Sequence, residues 1–121
     1  MNEVQGFEEV IHPGSRSSDF PHAPSGWLRE DMQSIADVEG LSLTDDHWEA
    51  LRALQEYFER VGERNVNVRQ LHDALDEKFH AKGGIKYLYG LFPSGPIAQG
   101  CRLAGLPPPA GAVDRGFGSV V

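Results

Sequence analysis

The sequence predicts a mainly α-helical fold of about five short helices, with a small N-terminal β element and an extended C-terminal arm. Apolar residues recur at three- and four-residue steps in successive segments between residues 27 and 104, which is the spacing of helices that bury one face. Glycine follows several of these segments and is a common helix terminator. Beyond them, three consecutive prolines at positions 107–109 cannot continue a helix and favour an extended chain.

Length and composition favour one domain spanning residues 1–121. Hydrophobic residues make up 40% of the chain and charged residues 24%, which are ordinary values for a globular protein. No run approaches the roughly 20 apolar residues of a membrane span, and the acidic N-terminus does not resemble a signal peptide. A single cysteine cannot form an internal disulfide, so we expect a cytoplasmic location.

The N-terminal part, residues 1–26, is rich in turn-forming residues and predicts an irregular or hairpin structure. Val4 to Ile11 is a candidate short strand, and Pro13 and Gly14 form a turn after it. The first helix is then expected from Trp27 to Glu39, with Gly40 ending it.

The second helix has the strongest pattern in the chain. Thr44 is the expected N-cap, and Asp45 and Asp46 suit the positive end of the helix dipole. Gly62 ends the segment. Its apolar stripe consists of Trp48, Leu51, Leu54, Tyr57, Phe58 and Val61, a pattern typical of a core-facing helix.

Three shorter helices are predicted after it. One runs from Val68 to Phe79 with Asn67 as its cap, and another from Ile85 to Phe92. The last carries the only cysteine, Cys101. The expected signals of this last helix are Ser94 as N-cap, Pro96 in the first turn and Gly105 as the stop.

Charge is distributed unevenly along the chain. Residues 1–81 hold 7 Lys/Arg and 17 Asp/Glu, a net of −10, whereas residues 82–121 hold 4 Lys/Arg and 1 Asp, a net of +3. The acidic part argues against wrapping nucleic acid, which needs clustered cations. Two interpretations of the basic end stay open: it favours a thiolate at Cys101 and attracts anionic partners, or it is a solvated surface with uneven charge.

Cys101 is the main candidate for chemistry, and two interpretations of it stay open. If it lies in the first two turns of the last helix, the backbone amides and Arg102 would lower the pKa of its thiol. In the alternative, it packs as an inert buried residue.

Two further patterns have ordinary explanations. His72, Asp76 and His80 share one helix face and could in principle bind a metal, but surface helices carry such groups routinely, so we predict no metal and no cofactor. The third and fourth helices could form a helix-turn-helix, but their cations, which include Lys78 and Lys86, are partly offset by acidic residues. Nucleic-acid binding is therefore not favoured.

Three stretches resemble one known family. They are Leu43 to Trp48 (LTDDHW), Lys86 to Pro93 (KYLYGLFP) and Gly95 to Pro107 (GPIAQGCRLAGLP). The chain is identified from them as a divergent member of the DsrC/TusE family, which comprises the gamma subunit of dissimilatory sulfite reductase and sulfur-relay proteins. The resemblance implies an orthogonal array of helices with residues 106–121 as the arm.

The resemblance also implies a function. The family's arm carries a penultimate cysteine that accepts and passes on a persulfide sulfur, but Ala112 stands at that position here, after the flexible Gly111. Cys101 matches an earlier family cysteine and is the only candidate carrier. Arg69 and Lys86 match cationic family positions and are expected to place the arm.

We therefore expect a sulfur-relay protein that works with sulfur-donor and sulfur-acceptor proteins. The alternative is a regulatory paralogue that binds the same partners, or senses redox state through Cys101, without carrying sulfur. A DNA-binding form of this regulator has the least support.

Overall fold

Five α-helices succeed one another in the residues that this computed structural model describes, 19–112. They are α1 (Arg29–Val38), α2 (Asp45–Val61), α3 (Val68–Lys78), α4 (Gly84–Leu91) and α5 (Ala98–Ala104), with 3-10 turns at Glu63–Asn65 and His80–Lys82. No strand occurs between residues 19 and 112, and the strand and turn expected before residue 15 lie outside the described residues. The mainly α fold is confirmed.

The helix boundaries differ from the predicted ones mainly at α1 and α5. Helix α1 begins at Arg29, two residues later than expected, because Leu28 has an extended backbone and is the N-cap. Ser94 is not the N-cap of α5: that position is Ile97, without a side-chain cap hydrogen bond, and the Ser94 backbone N–H donates to the side chain of Gln99. The first carbonyl to accept a bond in this helix is that of Gly95, from the N–H of Gln99 at 2.8 Å. The sequence signals therefore located α5 correctly but placed its start too early.

The core lies between α2 and α5, with α1 and the segment before it closing one side. Leu51, Leu54 and Leu103 are almost fully buried, and each such side chain contributes about 1.5–3 kcal/mol through its removal from water. The indole N–H of Trp27 donates to the carbonyl of Leu103 at 2.9 Å. This bond holds the C-terminal half of α5 against the segment that precedes α1.

Two polar contacts position α4 between α2 and α3. The Asp76 carboxylate accepts the backbone N–H of Ile85 at 2.8 Å. Gly84 has a φ of +69°, and a Cβ there would overlap the same carboxylate, so this turn requires glycine. At the other end, His47 accepts the N–H of Thr44 at its Nδ1 and donates from Nε2 to the carbonyl of Leu91 at 2.7 Å.

Candidate functional site: the Cys101 helix and its arm

Cys101 lies in the core. Its side chain is 0% exposed, and it belongs to the central apolar cluster. Burial raises the pKa of the Cys101 thiol from 9.0 to about 12, because a thiolate loses its hydration there. Of the two interpretations that the sequence left open, this environment agrees with the buried cysteine: desolvation raises the pKa of the thiol, and no lowering by helix amides or Arg102 offsets it.

The Arg102 side chain links α5 to Glu39 at the end of α1. Its Nε and Nη2 donate to the two carboxylate oxygens of Glu39, each at 2.9 Å. Gln99 donates to the same carboxylate at 2.9 Å. The Glu39 side chain is only 9% exposed, so this bidentate pair is shielded from solvent and stabilises the orientation of α5.

The arm reverses direction directly after α5. Gly105 has a φ of 78° at the helix C-terminus, and a Cβ there would lie 2.7 Å from Trp27, so glycine is required. The N–H of Leu106 then donates back to the carbonyl of Cys101 at 2.8 Å. The first residue of the arm is therefore hydrogen-bonded to the backbone of the residue that carries the thiol.

The described end of the arm lies against the helical body. Gly111 has a φ of 94°, and a Cβ on it would lie 3.2 Å from Val68 at the start of α3. The N–H of Ala112 donates to the carbonyl of Pro109 at 3.1 Å, closing a turn. Ala112 is half-buried and packs against the core.

Two grooves meet at Ala112. The α5 groove has a volume of about 410 Å³ and is lined by residues that include Ala98, Arg102, Leu106, Pro108, Pro109 and Ala112. The α3–α4 groove has a volume of about 180 Å³ and is lined by residues that include Val68, His72, Tyr89, Ile97, Gly111 and Ala112. Ala112 thus borders both grooves, whereas Cys101 is buried in the core and is not part of the lining of either.

Arg69 lies on α3 and Lys86 on α4, the two helices that line the α3–α4 groove. Arg69 follows Val68 on α3, and Lys86 lies one helical turn before Tyr89 on α4; both are exposed. That their charged groups help to place the arm stays a prediction.

The other patterns have structural roles or no assembled site. Asp76 holds the α3–α4 turn, as described above. Across residues 19–112 no three His, Cys, Asp or Glu side chains group as metal ligands would. In the same part of the chain, no helix is long and apolar enough to cross a membrane.

Sequence reasoning did not find Glu39, Gln99 or Tyr89. Glu39 was predicted only as the last residue of the first helix, and its partner Arg102 lies 63 positions away, a separation that local patterns do not reveal. Tyr89 belongs to the matched KYLYGLFP stretch, and that match was the one available signal for it.

The described chain is thus an α-helical body whose last helix holds the chain's single thiol, followed by a proline-rich arm folded against that body. The family model described as "DsrC like protein" matches residues 15–113. The chain belongs to the DsrC family.

Individual relatives agree with this assignment. The chain is 39% identical over 85 residues to a sulfurtransferase TusE homologue of Haemophilus influenzae, covering 69% of this chain and 77% of that protein. It is 38% identical over 92 residues to the sulfurtransferase TusE of Escherichia coli K12, covering 69% and 84%. The NMR structure of DsrC from Allochromatium vinosum matches with a TM-score of 0.57 and 42% identity, over 72% of this chain and 78% of that one.

Proposed function

We propose that this chain is a sulfur-relay protein of cytoplasmic sulfur metabolism, which docks its arm into donor and acceptor proteins and uses Cys101 as its only sulfur-carrying residue. The observation that supports the proposal is the link between the arm base and the backbone of the residue that carries the thiol: the Leu106 N–H donates to the main-chain carbonyl of Cys101. Relatives named as sulfurtransferases are 38–39% identical to this chain over 69% of its length.

The chemical step needs only a thiolate and a donor persulfide. The Cys101 thiolate attacks the outer sulfur of the donor's persulfide, a new S–S bond forms at Cys101, and the donor's own S–S bond breaks. The donor leaves as a thiolate and takes up the proton that Cys101 lost. An acceptor thiolate then repeats the exchange on the outer sulfur of the Cys101 persulfide, so no external oxidant is consumed.

The buried position of Cys101 sets the condition for this step. A thiol with a pKa of about 12 holds a very small thiolate fraction at neutral pH, and an attacking donor cannot reach a side chain that is 0% exposed. Docking of the arm must therefore loosen the turn at Gly105 and Leu106 before exchange begins. In this proposal a partner controls loading by pulling on the arm.

The second candidate function is a regulator that occupies carrier docking sites without carrying sulfur. It is favoured by the same burial of Cys101 together with the absence of a thiol at Ala112. The two functions predict the same docking but different chemistry.

A reconstituted transfer reaction separates them. Escherichia coli TusE is assayed in its own sulfur-transfer system, and this chain is added first as a competitor and then as a replacement. We expect competition that disappears when residues 106–121 are deleted, and slow replacement that disappears in Cys101→Ala. Competition by Cys101→Ala with no replacement by the natural chain supports the regulator, and no competition at all contradicts both.

A further inference from the structure

Glu39 lies at the end of α1, beside α5. It is the C-cap residue of α1, and its backbone N–H donates to the carbonyl of Ala36 at 3.0 Å. Gly40 follows with a φ of +76° and ends the helix. The backbone of Glu39 is therefore fixed by α1 itself, and this gives its carboxylate a defined position against α5.

The residues that bond to this carboxylate flank Cys101 in the chain. Gln99 precedes Cys101 by two positions, and Arg102 follows it directly. Together they donate three hydrogen bonds to Glu39, each at 2.9 Å. Hydrogen bonds to a charged acceptor are stronger than neutral ones. One carboxylate at the end of α1 thus holds α5 on both sides of the residue that carries the thiol.

The Glu39 cluster, which consists of Glu39, Gln99 and Arg102, also holds the loop that leads into α5. The Gln99 side chain is buried, with 2% of its surface exposed. Its amide nitrogen donates to Glu39, and its amide oxygen accepts the backbone N–H of Ser94 at 3.1 Å. Loss of the carboxylate therefore acts on the first turn of α5 and on the loop before it.

Two other polar contacts of α5 differ from the Glu39 cluster in charge and in exposure. The Trp27 indole donates to the carbonyl of Leu103 at 2.9 Å, and the Gln55 amide donates to the carbonyl of Ala104 at 3.0 Å. Both are neutral bonds between buried residues. In the Glu39 cluster, by contrast, 30% of the Arg102 side chain is exposed, and Arg102 lines the α5 groove beside the arm. Among these contacts, the cluster is the one that solvent or a docking protein can reach.

We propose that Glu39 is a positioning residue that keeps α5 packed against the core, so that Cys101 reacts only after the bonds to this carboxylate are broken. The thiol is 0% exposed and needs such an opening before a reagent or a partner reaches it. The opening is local, because α5 separates while the rest of the core stays folded. The inference rests on the proposed function, since it identifies the contact that controls access to the carrier thiol.

The test compares the rate of Cys101 alkylation by iodoacetamide with the free energy of unfolding in urea. Glu39→Ala should accelerate alkylation by at least about tenfold, because it removes the acceptor of three charge-assisted bonds. This acceleration should exceed the change in the equilibrium constant of global unfolding and should depend only weakly on urea, as a local opening does. An acceleration that only matches the loss of global stability, or no acceleration, overturns the proposal.

Matched variants separate the cluster from a general loss of charge. Glu39→Gln keeps the size of the side chain and removes its charge, so it should accelerate alkylation several-fold, and it decides the test if Glu39→Ala does not fold. Glu56→Ala is the control, because Glu56 is an exposed carboxylate that pairs with Arg60 on α2 at 3.0 Å. The control should change the rate by less than about twofold. Equal acceleration in Glu56→Ala contradicts the assignment to Glu39.

Sulfur loading from glutathione persulfide separates this inference from the proposed function. We expect Glu39→Gln to load Cys101 faster than the natural chain, by the same factor as it accelerates alkylation. Faster alkylation with no sulfur loading in either protein overturns the sulfur carriage and leaves the role of Glu39 standing. Loading at the same rate in both proteins overturns the role of Glu39 and leaves the sulfur carriage standing.

Discussion

Cys101 and Ala112 lie in opposite environments within one short stretch of chain. Cys101 faces the core and is 0% exposed, whereas Ala112 is half-buried beside two open grooves. The thiol is thus where partners cannot reach it, and the position that partners can reach has no thiol. Under the proposed function, sulfur exchange therefore depends on the opening of α5 and not on the reach of the arm.

The largest expected effect concerns the thiol itself. With a pKa of about 12 in place of 9.0, Cys101 holds about a thousandfold less thiolate at neutral pH. Iodoacetamide should therefore label the native protein very slowly and the urea-unfolded protein completely, as read by mass spectrometry. Native labelling within about tenfold of the unfolded rate would show that burial does not suppress the thiol.

A matched pair of leucines tests the contrast between core and arm. Leu103 on α5 is 0% exposed, so Leu103→Ala should lower the free energy of unfolding by about 2–5 kcal/mol. Leu106 at the arm base is only partly buried, and Leu106→Ala should cost less than about 1.5 kcal/mol. Urea denaturation measures both, and equal losses would mean that the arm base belongs to the core.

The pH dependence of stability sharpens the same contrast. Because the folded-state pKa of Cys101 is raised, its stabilising contribution is complete below pH 9.0 and is lost as the pH rises toward about 12. Within that range the natural chain should lose about 1.4 kcal/mol per pH unit relative to Cys101→Ala. Urea unfolding of both proteins at a series of alkaline pH values gives the difference between their free energies of unfolding. If Cys101 ionises in the fold as easily as in the unfolded chain, this difference should not change with pH.

Much of this architecture follows from local patterns in the sequence. The stripe on α2 and the stop at Gly105 were predictable because they depend on neighbouring residues. The burial of Cys101 could not be decided from the sequence, since α5 has only seven residues and is too short for its apolar pattern to define one buried face. The start of α5 was misplaced because capping rules select Ser94, whereas Ile97 is the N-cap. The Ser94 backbone N–H instead donates to the side chain of Gln99.

The candidate site was predictable only in part. Cys101, Gly111 and Ala112 came from motif matching, which gives positions but no environments. The Glu39–Arg102 pair and the placement of Tyr89 beside Ala112 depend on contacts between distant segments. Such contacts appear only when the helices are packed together.

A smaller effect is expected from the cations near the arm. Arg69 and Lys86 are exposed, and single exposed charges contribute little to stability. Changing both to alanine should leave the helical circular dichroism unchanged and weaken competition with TusE several-fold, mainly through slower association. Unchanged competition would mean that these residues do not help to place the arm.

Moving the thiol to the arm tests the central claim most directly. The natural chain and Ala112→Cys, each with and without residues 114–121, are incubated with a small persulfide, and gain of one sulfur atom is located by mass spectrometry. The account predicts rapid loading at position 112 in the variant, and slow loading at Cys101 in the natural chain that accelerates in mild urea. Loading of native Cys101 as fast as position 112 would contradict the claim that burial controls this protein's chemistry.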